Sequence, residues 1–369
     1  MRLWNHTYIL CENLLSRCLN QGWWVYGKMV GRMTTLPHPV APAPPNLFAS
    51  LRAGFDAVAN HLAVILLPVL LDLWLWLGPH VRMKTLLSDF QTYLVSSPNW
   101  DAIQSGAILD TYQEMLQEAA LRLNLMMSLR SFPIGVPSLM AARLPIEVPG
   151  GVPLFWEISN GWVVIGLVFA LFLIGLGIGS LYFSLVAQAA IGGKVEWRKT
   201  LRNWPWAMLQ VLSLTLSLLV VLLVISLPTS CALSVIAWGG ISLGQVGVLL
   251  VIGIMVWLAF PLVFTPHGIF ADHNNVLYAL RRSIRVTRLT LPTTALLFLA
   301  ILVISEGLDI LWRVPAENSW LTLLGMGGHA FVTTGLLAAT YVYYRDADRW
   351  VQKMTEQMAR SAASHNPPA

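Results

Sequence analysis

Six stretches of this chain are apolar over about the 20 residues that a helix needs to cross the hydrocarbon core of a bilayer. They are Val58–Gly78, Ile158–Ala190, Trp206–Leu227, Ser242–Phe264, Leu289–Ile310 and Trp320–Tyr344. Only 11% of the residues are charged and 56% are hydrophobic, whereas a soluble domain carries about 25% charged residues. Such a chain cannot cover a water-exposed surface of its size. Lipid is the solvent that accepts it, and inside lipid a spanning segment of this length satisfies its own backbone as a helix. The expected fold is therefore an all-α polytopic transmembrane bundle of six spans, with a small helical extracytoplasmic segment. The 16 tryptophans suit the aromatic belts of a bilayer interface.

Charge placement orients the spans. Residues 1–57, 191–204, 265–288 and 345–369 hold 17 of the 23 lysines and arginines. Basic residues resist translocation, so these four alternate segments are expected in the cytoplasm and both termini with them. Arg82 and Lys84 dissent, lying just past the outer end of the first span. The expected organisation is a cytoplasmic segment and Pro-rich linker (1–57), a first span (58–78), an extracytoplasmic helical segment (79–157), a five-span bundle (158–344) and a cytoplasmic tail (345–369). Met33 offers an alternative start, which would leave residues 1–32 upstream. The net charge of +5 is accounted for by topology, so nucleic acid is not an expected partner.

Within the outer segment, apolar residues from Ile103 to Leu123 recur at helical spacing, which predicts an amphipathic helix over about residues 100–129. Five prolines between Pro133 and Pro153 then predict an extended or re-entrant cover on the membrane surface. Pro, Ser and Gly between Pro228 and Gly240 predict a short outer turn. On the cytoplasmic side the two turns share a pattern. "GGKVEWRKTLRNWPW" sets Lys194, Arg198 and Arg202 beside Trp197, Leu201 and Trp204, and "NNVLYALRRSIRVTR" sets Arg281, Arg285 and Arg288 beside Leu277, Leu280 and Ile284. Both read as interfacial helices whose basic faces contact anionic lipid headgroups, in a duplicated span–helix–span unit.

Candidates for chemistry are few. His267 and Asp272 stand in an H-x4-D spacing, in which a histidine could deprotonate a hydroxyl while the aspartate holds its ring. The other reading is a wet, polar span end. His267, Asp272 and His273 supply three potential metal ligands without an adjacent fourth, so no metal is expected, and no cofactor motif occurs. Asp72, Glu306, Asp309 and His329 lie in or at the ends of spans, where ionisable groups are costly and hint at function. Asp72, Glu306 and His329 are a candidate polar pocket open to the outside. The other reading pairs the acids at the interface, Asp309 with Arg313. Gly175-x3-Gly179 and Gly240-x3-Gly244 allow close helix packing, within the chain or in a dimer, and Pro261 and Pro266 are expected to kink or end the fourth span.

The run Tyr278-Ala279-Leu280-Arg281-Arg282-Ser283, leading into a span, resembles a turn of bacterial polytopic families similar to the membrane domain attached to some glycerophosphodiester phosphodiesterases. The likeness covers about residues 158–345. No phosphodiesterase domain accompanies it, so the resemblance implies a bacterial inner-membrane protein and no reaction. The expected function is a non-catalytic scaffold or accessory subunit acting through the bilayer, anionic headgroups and a membrane-protein partner or second copy. The alternatives are a transporter or lipid-handling permease and, third, a membrane acyltransferase.

Overall fold

The computed structural model describes residues 44–96, 106–238 and 244–365; expectations for the N-terminal segment before residue 44 lie outside them. The chain is an all-α polytopic helical bundle. Among the described residues, five helices are long and apolar enough to cross a membrane, and a sixth crossing exists if one bent pair counts as a span.

That bent pair corrects the first expected span. Helix α1 (Leu47–Ala59) begins at Asn46, whose side chain accepts from the amides of Phe48 (3.0 Å) and Ala49 (3.2 Å). It ends at Asn60, and the chain turns by 88° through a 3-10 turn at Leu62–Ile65 into α2 (Leu66–Leu77). His61 marks the break, donating its ring Nδ1 to the Ala57 carbonyl at 3.0 Å. This bond satisfies a carbonyl that the ending helix would otherwise leave unpaired.

The outer segment is more compact than its composition suggests. Strand β1 (His80–Arg82) pairs in parallel with β2 (Phe155–Glu157) and so closes the segment at its base. Between them lie α3 (Lys84–Val95), α4 (Gly106–Arg122), a 3-10 turn at Leu125–Leu129 and the short α5 (Leu139–Arg143). The single helix expected over 100–129 is thus divided, and its start falls outside the described residues. Asn124 makes the division: its side chain accepts from the amides of Val81 (3.0 Å) and Met126 (3.1 Å). The proline-bearing stretch is no surface cover. Ile134, Val136, Leu139 and Met140 are buried in the main core.

Helix α6 (Gly161–Ala187) receives that stretch. Gly175 abuts the backbone of Leu129, and a Cβ on Gly179 would lie 2.7 Å from the Ile134 carbonyl oxygen. The small-residue spacing therefore serves packing within the chain, against a loop instead of another helix. A π turn at Gln188–Gly192 leads to Gly193 at φ +62°, a left-handed position that glycine adopts without strain.

The next helix overrides two expectations. Helix α7 runs unbroken from Trp197 to Trp238, with Pro205 and Pro228 inside it. The first basic turn is thus the end of a spanning helix and no separate interfacial one. The outer turn expected from Pro228 is helical as far as Trp238. At about 1.5 Å per residue, its 42 residues extend about 63 Å, twice the hydrocarbon thickness.

The fourth crossing is composite: α8 (Gly244–Ala259), a 3-10 turn at Phe260–Leu262 and α9 (Thr265–Asp272). Its apolar helix continues to Asp272 instead of stopping at Phe264. Pro266 sits in the first turn of α9, where a missing amide costs nothing. Then follow α10 (Val276–Leu289), α11 (Leu291–Trp312) and α12 (Thr322–His365).

Helix α12 is the central post, packed by α1, α2, α6, α9, α10 and α11. Gly54 of α1 meets the backbone of Ala339, and Phe55 lies on Gly335 and 5.8 Å from the Phe331 ring. Tyr182, Leu185, Val211, Ile269 and Tyr341 fill the interior beside it.

Candidate functional site

The three residues of the expected outer pocket have different surroundings. Asp72 of α2 is fully buried. Its Oδ1 accepts from Ser138 Oγ (2.5 Å) and the Met140 amide (3.0 Å), and its Oδ2 from the Leu139 amide (3.2 Å). It therefore satisfies the orphan amides at the start of α5. Glu306 faces outward from α11. His329 of α12 lies within electrostatic reach of Asp309, Arg130 and Arg313, and Asp309 pairs with Arg313 at 2.5 Å. The hydrogen bonds of Asp72 lead to α5 and the nearest charges of His329 include the Asp309–Arg313 pair, while Arg130 lies within electrostatic reach of both Asp72 and His329.

His267 and Asp272 do not face one another. His267 is buried against the rings of Phe264, Tyr341 and Tyr344, and its Nε2 lies 2.7 Å from Thr340 Oγ1. Asp272 instead accepts from Arg282 Nη1 (2.9 Å) and from the Tyr344 hydroxyl (3.2 Å). Five residues along a helix turn the two side chains about 140° apart, so the aspartate does not orient the imidazole. His273, with a left-handed φ of +53°, sits edge-on to Trp206. Among the described residues, no group of three His, Cys, Asp or Glu side chains is placed to hold a metal ion.

The most developed polar assembly lies where α10 meets the far end of α12. Helix α10 starts at Asn275, and the Val276 amide donates to Gln210 Oε1 of α7 at 3.0 Å. Val276, Ala279, Ser283, Val286 and Thr287 form its buried face. Ser283 Oγ accepts from the Phe264 amide (3.0 Å) and donates to the Pro261 carbonyl (2.8 Å), so it ties α10 to the break between α8 and α9. The outward face keeps Arg281, Arg285 and Arg288, and Leu277 beside them is 68% exposed.

Arg282 behaves differently from its neighbours. Its Nε and Nη2 reach Asp348 Oδ1 (2.7 Å) and Oδ2 (2.5 Å), a two-pronged pair, while Nη1 takes Asp272. Gln352 Nε2 also donates to Asp348 Oδ2, at 2.6 Å. The hydrogen bonds that Arg282 donates to Asp348 raise its pKa still further above its already high value, against an opposing effect of burial. This fork holds α10 to α12 with the geometry that suits a carboxylate best.

Beside the fork the two helices enclose an open cleft of about 540 Å³. Arg281 and Arg285 line it from α10, and Gln352, Thr355 and Glu356 from α12. Counting Arg282 and Asp348, its walls carry three guanidinium groups and two carboxylates. Asp348 is committed to Arg282, and Glu356 lies 3.9 Å from Arg360. Arg281 and Arg285 are the lining guanidinium groups outside the fork, and the Glu356 carboxylate, held only in that long and exposed pair, stays on the opposite wall.

The other basic turn is built differently. Lys194, Arg198 and Arg202 are exposed, as are Trp197 and Leu201. Trp204 turns inward, donating its ring nitrogen to the Gly177 carbonyl (2.8 Å) and Ser180 Oγ (3.0 Å) of α6. Gln188 braces the turn, accepting from the Glu196 amide (2.9 Å) and donating to Thr200 Oγ1 (2.7 Å).

A second polar surface was not singled out from sequence. On α1, Arg52 and Asp56 form an ion pair at 3.7 Å with side chains 86% and 66% exposed. Their helix rests on Gly335 and Ala339, in the middle of the apolar stretch of α12. The signal was available, since Arg52, Asp56 and Asn60 recur every fourth residue. It was masked because this stretch reads as the approach to a span. Asp348 was likewise hidden in a charge-rich tail.

No family model, curated protein or solved structure matches this chain. The apolar helices establish a multi-pass membrane protein.

Proposed function

We propose that this protein is a non-catalytic scaffold or accessory subunit of a bacterial cytoplasmic membrane, with both termini and the basic turns on the cytoplasmic side. It acts through contacts with another membrane protein and with anionic lipid. The bias of lysine and arginine supports the orientation. The observation that carries the scaffold reading is the outward face of α1. Arg52, Asp56 and Asn60 are exposed beside the centre of α12's apolar stretch. Hydrocarbon does not solvate such groups, and charged side chains at that depth face protein or water. A polar surface on a partner would cover them.

The test is a photo-crosslinking amino acid at Asn60 in native membranes, read by mass spectrometry. The expected product joins Asn60 to a second membrane protein. Crosslinks only to residues 1–43 of the same chain would mean that its own N-terminal segment covers the face, and the scaffold reading would fall.

A permease is the second reading. It is favoured by polar groups inside the bundle: Tyr182 hydroxyl to Thr334 Oγ1 at 2.8 Å, His267 to Thr340, and the wholly buried Tyr341 hydroxyl, which has no hydrogen-bond partner among the described residues. Purified protein in liposomes, under an imposed potential with an internal pH dye, should then conduct protons in a Tyr341-dependent way. Leakage equal to that of empty liposomes removes this reading.

A further inference from the structure

We infer that the cleft between α10 and α12 seats the phosphodiester headgroup of an anionic glycerophospholipid whose headgroup carries free hydroxyls. The inference rests on the proposed reading that this end of the bundle meets an anionic leaflet.

Three features of the cleft converge. The first is charge. Arg281 and Arg285 are one helical turn apart, so both reach the same ligand. The Arg282–Asp348 fork fixes the helix that carries them, so their placement is not lost when the ligand leaves. Guanidinium groups pair with phosphate oxygens through short, charge-assisted hydrogen bonds.

The second is the polar wall opposite. Thr355 Oγ1 donates to the Val351 carbonyl (2.8 Å) and Gln352 Nε2 donates to Asp348. These bonds take the Thr355 hydrogen and one of the two Gln352 Nε2 hydrogens, which leaves the Thr355 oxygen, Gln352 Oε1 and the Glu356 carboxylate as acceptors on a wall opposite the arginines. Acceptors suit the hydroxyls of a glycerol headgroup. A choline headgroup has no hydroxyl to give them, and its cation would meet two arginines.

The third is depth. The cleft lies where the apolar stretch of α12 gives way to charged residues and where α10 passes directly into the spanning helix α11. Leu277, Tyr278, Leu289 and Leu291 are exposed alongside, a surface for acyl chains next to a seat for the phosphate. A soluble phosphate would use the arginines and leave this apolar border without purpose.

The experiment uses the purified full chain in detergent, titrated with dihexanoyl phosphatidylglycerol, dihexanoyl phosphatidylcholine or inorganic phosphate, with bound lipid counted by native mass spectrometry. Phosphatidylglycerol should saturate a single high-affinity site. Arg281→Gln/Arg285→Gln should weaken it at least about tenfold, since each lost bond to a charged group has an effect of that order. Lys84→Gln, on the exposed start of α3, should leave the site unchanged. Equal binding of phosphatidylcholine, an unaffected α10 variant, or competition by inorganic phosphate at the concentration where the lipid saturates would each overturn the proposal.

Should the double variant fail to fold, wild-type protein can be photolabelled with a diazirine-headgroup phosphatidylglycerol. Adducts on residues 278–285 and 351–356 support the seat, and adducts confined to residues 194–202 overturn it. The Asn60 crosslink reports separately: a partner retained while lipid binding shows none of the expected behaviour sinks the seat and leaves the scaffold reading standing.

Discussion

Ser138 Oγ lies 2.5 Å from Asp72 Oδ1, and this bond, with the two amides that follow Ser138, anchors the proline-bearing outer stretch to α2. The carboxylate is fully buried and caps a five-residue helix. Asp72→Ala removes the cap and leaves buried amides unpaired. It should destabilise the protein by about 2–3 kcal/mol, seen as a lower melting temperature in detergent and faster proteolysis between residues 130 and 150. Unaltered melting and cleavage would show that the stretch is held by its apolar contacts alone.

Gly175 and Gly179 predict a second outcome. Side chains there would meet the backbone of Leu129 and Ile134, and backbone cannot swing aside as a rotamer can. Gly175→Leu or Gly179→Val should cost about 1–3 kcal/mol or more by overpacking. Gly166→Ala, on the same helix with nothing within 4 Å of its added Cβ, should be neutral or slightly stabilising. Equal melting shifts at all three positions would contradict the close approach.

The Arg282 fork gives a third. Side-chain exposure is 21% for Arg282 and 8% for Asp348, so replacing the guanidinium leaves a largely buried carboxylate without its partner. Arg282→Met should destabilise by about 3 kcal/mol. The double change Arg282→Met/Asp348→Leu should recover much of that, because the buried carboxylate is gone and Asp272, which also loses Arg282, has a side chain 36% exposed and within reach of water. A double-mutant cycle with additive losses would remove the coupling.

His80 gives a pH dependence. Burial lowers its pKa from the usual value of about 6.5, opposed by its bond to the Leu75 carbonyl (3.0 Å) and assisted by the Arg82 charge. The folded protein therefore keeps the imidazole neutral where the unfolded chain would take up a proton. Stability is full above about pH 6.5 and falls as the pH drops through that value, levelling off below the folded pKa. His80→Gln retains a donor for Leu75 without a titrating group. The loss of melting temperature between pH 7.5 and 5.5 should be smaller in this variant than in the wild type, and an identical loss would assign the dependence to other groups.

The helical class and five of the six expected crossings were legible because hydrophobicity averaged over 20 residues reports directly on solvent, whereas the first was read as one straight span and is a bent pair. The pairing of Asp309 with Arg313 was legible for a similar reason, since both partners lie on one helix turn. What could not be read were features decided by distant residues. Asp72 looks like an interfacial acid until Ser138 arrives from 66 positions away. Gly175 and Gly179 announce a close approach but not that a loop makes it. Pro228 suggests a helix end, yet α7 continues through it. Arg282 is indistinguishable in sequence from Arg281, and only Asp272 and Asp348 separate a locked guanidinium from an available one. The basic faces of α7 and α10 were both visible, but the cleft beside the second is made by α12, which arrives from more than 60 positions away.

The packing of α1 on α12 joins the first and last described helices of the chain, with Gly54 resting on Ala339. A ribosome making this protein thus releases α1 into the membrane long before its docking surface has been synthesised. The 16 residues from Leu62 to Leu77 are also shorter than the roughly 20 that anchor a helix unaided. The N-terminal pair can dock only once Gly335 and Ala339 have been made, so this bundle closes through a contact between segments far apart in the order of synthesis.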